Sequence, residues 1–216
     1  MTPIQQHIAE IRKTLPESVR LVCVSKFHPE EELRQAYDCG ERDFGESHVQ
    51  ELLRKQNALP ADIRWHMIGH LQTNKVKQIV PFIHLIQSVD SMHLLEVINR
   101  EAAKINRVVN VLLEVHVARE ENKTGFTPDE LAKAIAILPS LPFVQVQGIM
   151  GMATLTDDKD EIRRCFSLIR QLADSAPCLE VISMGMSHDY TLALEEGSNM
   201  VRIGTTIFGQ RNYLRN

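Results

Sequence analysis

The chain has 216 residues, 44% of them hydrophobic and 24% charged, which is enough apolar side chain for one well-buried core. A formal net charge of −4 and a pI of about 6.1, without any basic run, exclude the electrostatic footprint of a nucleic-acid-binding protein. The N-terminus is a polar amphipathic helix rather than a signal peptide, and no apolar run approaches the roughly 20 residues of a membrane span. We therefore expect a cytoplasmic protein without membrane association.

The first half of the sequence alternates helix signals with short apolar runs. A leading helix is predicted from Ile4, Ile8, Ile11 and Leu15, which fall on one face. Strands are predicted at 21–26, 43–45, 65–69, 85–89 and 111–117, each followed by a helix signal. Gly40 closes one of these helices, Pro81 ends another, and Ser91 caps a third.

The second half repeats this alternation. A helix is predicted to begin after Thr127, which is a typical N-cap residue. Pro128 suits the first helical position, and Glu130 is the glutamate of a capping box. Further strands are predicted at 144–149, 181–183 and 201–204. Eight strand-helix units predict an α/β fold, a (β/α)8 TIM barrel formed by residues 1–216 as a single domain. A doubly wound open sheet is the alternative.

The cysteines and histidines give no strong metal or redox signal. Cys23, Cys39, Cys165 and Cys178 contain no CxxC pair, so we expect buried small hydrophobic side chains rather than zinc ligands or disulfides. His66 and His70 have HxxxH spacing but span a strand end and a turn, whereas metal pairs of this kind usually lie on one helix. We expect these histidines to be hydrogen-bonded.

Lys26 ends the apolar run at 21–26, where the first strand reaches the mouth of the predicted barrel. Pro29 and three following glutamates then start a helix. A partly desolvated lysine at such a junction can attack a carbonyl carbon, which makes Lys26 a candidate Schiff-base residue. A solvated surface lysine remains the simpler alternative at this point.

Small hydroxyl residues and glycine follow the last two strands. They are Ser183 to Ser187 after strand seven, and Gly204 to Thr206 after strand eight. Barrels often bind a phosphate at these two loops, because backbone N–H groups and helix N-termini converge there. Together with a lysine at the end of strand one, these loops suggest a phosphorylated aldehyde as the ligand.

Arg202 lies between two apolar residues of strand eight and is therefore expected to point into the barrel. A buried arginine needs a hydrogen-bond acceptor, and the sequence leaves two candidates for it. One is a salt bridge inside the barrel, for example to Glu114. The other is the ring nitrogen of a bound pyridine, which the arginine would keep unprotonated, weakening its action as an electron sink.

Five ordered motifs resemble one family over the whole chain. They are VCVSK at 22–26, FGESHVQE at 44–51, WHMIGHLQTNK at 65–75, NKTGF at 122–126 and SMGMSHDYTLALEEGSNMVRIGTTIFGQRNY at 183–213. They are similar to the pyridoxal phosphate homeostasis proteins, single-barrel relatives of the alanine racemase N-terminal domain. This resemblance implies a covalent aldimine between Lys26 and pyridoxal 5'-phosphate (PLP), with Ser187, Gly204 and Thr205 at its phosphate and Arg202 near its pyridine nitrogen.

The chain departs from the family at one motif. The family usually has FGENYV, whereas Ser47 and His48 stand here in place of asparagine and tyrosine. The contribution of that asparagine is in question, and Ser47 is carried over as a candidate cofactor contact.

The resemblance implies a carrier or buffer that limits free PLP and supplies apo PLP-dependent enzymes, as a monomer or weak dimer. A PLP-dependent enzyme with weak racemase-type activity is the alternative. Alanine racemases use a tyrosine base from a second domain, and the chain ends at Asn216 without such a domain, so two-base racemisation is not expected. An aldolase with a Schiff base to its substrate is a third hypothesis.

Overall fold

Strands and helices alternate along the chain, as the sequence predicts. The computed structural model describes residues 1–118, 124–177 and 179–210, so Cys178 and parts of the motifs at 122–126 and 183–213 lie outside the described residues. The strands are β1 (Arg20–Val24), β2 (Asp43–Glu46), β3 (Arg64–Met67), β4 (Leu85–Val89), β5 (Val109–Val115), β6 (Val144–Gly151), β7 (Val181–Ser183) and β8 (Met200–Ile203). The helices are α1 (Pro3–Thr14), α2 (Glu30–Asp38), α3 (Val49–Ala58), α4 (Val76–Ile79), α5 (Met92–Ala103), α6 (Pro128–Ile137), α7 (Lys159–Asp174), α8 (Tyr190–Glu195) and α9 (Thr205–Phe208), with 3₁₀ turns at Thr73–Lys75 and Leu138–Ser140.

The strands close into a barrel. They run parallel and pair in chain order from β1 to β8, and β8 then pairs with β1. At this closure Arg20 lies opposite Met200 and Val22 lies opposite Arg202. The predicted (β/α)8 barrel is confirmed, and the open-sheet alternative is wrong, since a closed barrel leaves no edge strand.

Strand alternation separates two layers of apolar side chains. Val22, Leu85, Leu112, Met150 and Met200 pack together inside the barrel, whereas their chain neighbours belong to the larger core between the strands and the helices. Residues two positions further along the strands point to the same interior side. Polar side chains occupy the positions two residues after Leu85, Leu112, Val181 and Met200, namely Gln87, Glu114, Ser183 and Arg202. The barrel interior therefore contains an apolar layer and, nearer the C-terminal mouth, a polar layer.

The predicted helix ends are confirmed by their capping contacts. The Thr127 hydroxyl accepts the N–H of Glu130, whose carboxylate accepts the N–H of Thr127. Ser91 caps α5 at Leu94. Gly40 has φ of 97° just beyond α2, a conformation that glycine adopts without steric cost. Among the described residues, no helix is long and apolar enough to cross a membrane.

The structure corrects two expectations. β1 ends at Val24, so Lys26 lies in the turn after the strand rather than on the strand. Cys23 and Cys165 are buried as expected, but Cys39 is exposed. Cys39 lies just beyond the last residue of α2, between the exposed residues Asp38 and Gly40, so the helix does not hold it against the core.

Candidate functional site

The turn that carries Lys26 is held in an unusual backbone conformation. Phe27 has φ of 68°, a region that few non-glycine residues occupy and that costs on the order of 1 kcal/mol. Its N–H donates to Glu51 Oε1 at 2.7 Å, and the N–H of His28 donates to the carbonyl of Ser25 at 3.1 Å. The turn therefore places the partly buried Lys26 at the C-terminal mouth of the barrel in one defined geometry.

A buried lysine, Lys55, holds this turn through hydrogen bonds. The side chain of Lys55 is 0% exposed, and its Nζ donates to the Ser25 carbonyl at 2.7 Å and to Glu46 Oε1 and Glu51 Oε1, both at 2.8 Å. Ser25 Oγ also donates to Glu46 Oε1 at 2.6 Å. A buried ammonium is tolerated only when its donors are used, and all three are used here. This cluster, the Lys55 cluster, ties the turn to β2 and α3.

Glu46 is the least satisfied member of the Lys55 cluster. Burial raises the pKa of its carboxyl to about 7, against the lowering effect of Lys55. Its Oε2 atom is buried and has no hydrogen-bond partner among the described residues. Glu46 therefore holds a proton over much of the range below neutral pH, directly beside the strand that leads to Lys26.

Lys55 is not among the site residues predicted from the sequence, although the sequence contains a signal for it. The buried positions of α3 are Val49, Leu52 and Lys55, which follow one another at a spacing of three. A lysine that continues an apolar stripe is a candidate for a buried, paired cation.

Arg202 lies inside the barrel, as predicted, and binds neutral acceptors. Its Nη1 donates to the carbonyl of Ser183 at 2.8 Å and to Ser183 Oγ at 2.7 Å, and its Nη2 donates to the Gly151 carbonyl at 3.1 Å. Burial lowers its pKa to about 10, while Glu114 and Asp189 act in the opposite direction. Within the described part of the chain Arg202 and Glu114 form no salt bridge, so the first of the two predicted acceptors is wrong.

Arg202 has donors left for a ligand. A guanidinium carries five N–H groups. Three of them make the hydrogen bonds to Ser183 and Gly151, and the other two have no acceptor among residues 1–118, 124–177 and 179–210. A buried cation with unused donors at a barrel mouth is a site for an acceptor atom of a bound molecule.

The loops after β7 and β8 meet at the same end of the barrel. Ser187 Oγ accepts the N–H groups of Gly204 and Thr206, each at 3.3 Å. A Cβ atom at Gly204 would lie 3.0 Å from the carbonyl oxygen of Val24, so glycine allows this loop to approach β1 closely. Thr205 is exposed beside them. The structure thus brings Ser187, Gly204 and Thr205 together next to the strand that precedes Lys26.

Ser47 lies at the end of β2, on the other side of β1. It is partly buried and follows the buried Glu46 directly. A Cβ at Gly69 would lie 2.6 Å from the Ser47 carbonyl oxygen, so the turn after β3 packs against Ser47. His48 is exposed, and its ring centroid lies 5.4 Å from that of Phe27. Ser47 is therefore adjacent to the Lys26 turn through its two neighbours.

Carboxylates line the opposite side of the mouth. Burial raises the pKa of Glu114 to about 7, with a further contribution from Asp90. The Asp90 carboxylate lies 2.8 Å from His70 Nδ1, and the Thr124 hydroxyl donates to Glu114 at 3.3 Å. Glu114 is thus a titratable group near neutrality on the same interior layer as Arg202.

The two predicted histidines do not form a pair. His70 lies at the mouth, whereas His66 lies inside the barrel, with its Nε2 at 2.9 Å from Asp43 Oδ1 at the start of β2. Asp43, His66 and His84 hold their ligand-type atoms within 4.8 Å of one another, close enough for the three to be weighed as metal ligands. Asp43 is already bound by Arg64, and both His66 ring nitrogens have hydrogen-bond partners. These contacts favour a hydrogen-bonded cluster, as expected for His66 and His70.

Known proteins resemble the chain over almost its full length. The profile of the family described as "Alanine racemase, N-terminal domain" matches residues 2–212. The chain is 42% identical over 200 residues to the pyridoxal phosphate homeostasis protein of Aquifex aeolicus, covering 90% of this chain and 88% of the relative. It is 34% identical over 223 residues to that of Schizosaccharomyces pombe, covering 98% and 94%.

Solved structures agree with this assignment. PipY of Synechococcus elongatus PCC7942, solved with PLP bound, has a TM-score of 0.87 and 38% identity, covering 95% of this chain and 100% of PipY. An alanine racemase from E. faecalis matches at a TM-score of 0.79 and 16% identity over 58% of its own length, a likeness of fold alone. The resemblance inferred from the five motifs is confirmed, and the chain belongs to the pyridoxal phosphate homeostasis protein family, within the alanine racemase N-terminal domain family.

Proposed function

We propose that the chain binds PLP through a Schiff base at Lys26 and carries or buffers it for PLP homeostasis, without robust catalysis. The observation that carries the proposal is Arg202, a buried cation with two unused N–H donors at the barrel mouth. The PLP-bound structure of the relative PipY supports it. Residues 1–216 are proposed to act as one PLP-binding barrel domain.

Lys26 would hold the cofactor covalently and reversibly. Lys26 would supply the amine and PLP the aldehyde, whose carbon would bond to the lysine nitrogen in place of the carbonyl oxygen, lost as water. Addition of water would release the cofactor again. A fixed turn at Phe27 supports this role because it limits the positions from which the amine can reach a bound aldehyde.

Arg202 would face the ring nitrogen. An arginine can only donate, so the ring nitrogen must accept and stay unprotonated. PLP supplies an electron sink in enzymes chiefly when this nitrogen is protonated, so the arrangement disfavours carbanion chemistry. This supports a carrier rather than a catalyst.

The other candidate contacts would surround the phosphate and the Lys26 turn. Ser187, Gly204 and Thr205 lie where the β7 and β8 loops meet, and backbone N–H groups converge there on the Ser187 hydroxyl. Such groups suit a phosphate. Ser47 is proposed as a further contact, since it follows Glu46 beside the turn.

The recipients would be apo PLP-dependent enzymes, and the chain would act as a monomer or weak dimer. The cytoplasmic location expected from the sequence is part of the same proposal. Transfer is measured by adding the loaded protein to an apo-aminotransferase across a dialysis membrane and in direct mixture. Faster activation in the mixture than across the membrane supports handover by contact.

One observation favours the alternative function, weak amino-acid chemistry. Glu114 shares the interior layer with Arg202 and has a pKa of about 7, so it can exchange a proton near neutral pH. Incubation of the loaded protein with D- and L-alanine in deuterated water tests it. Exchange of the α-hydrogen that is lost in Glu114→Gln would favour an enzyme over a pure carrier.

The covalent site is tested with Lys26→Ala beside Lys13→Ala, a matched change at an exposed lysine of α1. We expect a visible absorbance band in the wild type and in Lys13→Ala, bleached by borohydride, with the reduced adduct mapped to Lys26 by mass spectrometry. Lys26→Ala should show neither the band nor the adduct. A band that persists in Lys26→Ala, or none in the wild type with added PLP, contradicts the assignment. A borohydride adduct that forms only with a substrate aldehyde would favour the aldolase hypothesis.

A further inference from the structure

A line of buried polar side chains crosses the barrel interior from Arg202 towards its N-terminal end. Arg202 Nη1 lies 2.7 Å from Ser183 Oγ, which lies 2.7 Å from Gln87 Oε1. Gln87 Nε2 lies 2.9 Å from His66 Nδ1, and His66 Nε2 lies 2.9 Å from Asp43 Oδ1. All five residues are at most 5% exposed, so the line is continuous and buried.

The chemistry of its members fixes the position of each proton. Arg202 can only donate, so Ser183 Oγ accepts from it and gives its single hydrogen to Gln87 Oε1. The amide nitrogen of Gln87 then donates to His66 Nδ1, which leaves the His66 proton on Nε2. That proton points at the Asp43 carboxylate. Every donor therefore faces the same way, from Arg202 to Asp43.

The opposite orientation of Gln87 is disfavoured by its surroundings. A reversed amide would place Oε1 against the Met200 sulfur, which now lies 3.3 Å from Nε2, and two lone-pair acceptors would repel. It would also place a proton on His66 Nδ1 and leave Nε2 as a bare acceptor facing Asp43, unless His66 carried a positive charge. His66 is fully buried, and burial lowers its pKa.

We propose that Ser183, Gln87 and His66 are positioning residues for Arg202, forming a one-directional hydrogen-bond relay that ends on Asp43. The relay occupies one Nη1 hydrogen while the Ser183 carbonyl occupies the other, so the guanidinium cannot rotate away from the mouth. Its two remaining N–H groups are thereby aimed at the bound molecule. This inference rests on the proposed function only for the identity of that molecule.

The relay also strengthens the acceptor that holds Arg202. A hydroxyl that donates a hydrogen bond becomes a better acceptor, and the effect adds along a chain. The relay ends on Asp43, whose carboxylate accepts from Arg64. Arg20 is the other charged group that acts on His66, and the titratable His84 lies beside His66 with its ring centroid 5.5 Å away. The negative end of the relay is thus fixed by an ion pair.

The proton positions are tested first in the protein without PLP. Imidazole ¹⁵N shifts of His66 at pH 7 should report the neutral tautomer with the proton on Nε2. Gln87→Glu replaces the donor by a carboxylate of the same shape, so His66 should become protonated on both nitrogens. Ser183→Ala should leave the tautomer unchanged, as should Ser167→Ala, a control serine that bonds Glu196 on the barrel exterior. A wild-type His66 with the proton on Nδ1, or doubly protonated, overturns the relay.

The effect on Arg202 is tested with PLP added. Ser183→Ala and Gln87→Glu should shift the visible maximum of the bound PLP and its pH dependence, and Ser183→Ala should weaken binding about tenfold. Ser167→Ala should match the wild type in both readouts. Spectra of Ser183→Ala and Gln87→Glu that superimpose on the wild type would contradict a positioning role. If the wild type gives no band at all, the proposed function fails, and the ¹⁵N measurement still decides the relay.

Discussion

Replacing Lys55 with methionine should destabilise the fold strongly, and more so at high pH. Lys55 Nζ makes three hydrogen bonds, two of them to the carboxylates of Glu46 and Glu51, and its side chain is 0% exposed. Methionine fills the same space without a charge. The variant therefore leaves Glu46 buried without its cation and removes the link from α3 to the Ser25 carbonyl.

The expected cost follows from the protonation of Glu46. Breaking a buried ion pair by removing one partner typically costs about 3–5 kcal/mol. The pKa of Glu46 is about 7, so near pH 8 the carboxyl is charged and the full cost applies. At pH 5 Glu46 is already protonated in the folded wild type, and the cost should fall to about 2 kcal/mol, which reflects the lost hydrogen bonds. Glu46→Gln combined with Lys55→Met should recover part of the loss at pH 8 for the same reason.

Urea unfolding at pH 5 and pH 8 measures these free energies for the wild type, the two single variants and the double variant. Lys13→Met serves as the control, because Lys13 is exposed on α1, and it should change the free energy of unfolding by less than about 0.5 kcal/mol. A cost of Lys55→Met below about 1 kcal/mol at pH 8, or one that is equal at both pH values, would refute the reasoning.

Two further predictions concern single groups. The folded-state pKa of Glu46 exceeds its ordinary value of 4.5, so the folded protein holds a proton that the unfolded chain releases, and the free energy of unfolding should fall as pH rises from about 4.5 to about 7. Glu46→Gln should remove on the order of 3 kcal/mol of that fall, which urea titrations across the window would detect; an unchanged pH profile contradicts it. Gly185 and Gly40 have similar φ angles of 96° and 97°. A Cβ at Gly185 would lie 2.6 Å from the Ala193 Cβ, whereas a Cβ at Gly40 would have no contacting atom within 4 Å. Gly40→Ala should cost about 1 kcal/mol and Gly185→Ala clearly more, and equal thermal midpoints would refute the steric argument.

The fold and the positions of the residues at the barrel mouth were predictable, because both follow from the order and periodicity of the strands. Once eight strand-helix units are counted, the barrel places every strand end at one mouth, which is why Ser187 and Gly204 could be expected near the Lys26 turn. Alternation along β8 likewise predicted that Arg202 points inward. These inferences need only the order of elements along the chain. The role of each of these residues in binding PLP stays a prediction.

The partners of buried polar groups were not predictable in the same way. The acceptors of Arg202 are Ser183 of β7, the strand next to β8, and Gly151 of β6, one strand further away, and the sequence offered Glu114 equally well. Lys55 was missed because lysine in an amphipathic helix is normally solvent-exposed. Which side chains meet across strands depends on barrel stagger and rotamers, and neither is written in a single segment.

The pairing of β1 with β8 has a consequence for how the protein acquires its ligand site. Arg20 and Met200 lie opposite each other although 180 positions of chain separate them, so this contact is among the most non-local in the fold. Closing so long a loop has a large entropic cost, so we expect this contact to form late in folding. The turn with Lys26 and the loop with Gly204 therefore become neighbours only when the last strand closes the barrel. A molecule that contacts both the turn and the loop would bind the closed barrel and stabilise the β1–β8 pairing by mass action. It would bind poorly to a chain in which β8 has not yet paired with β1.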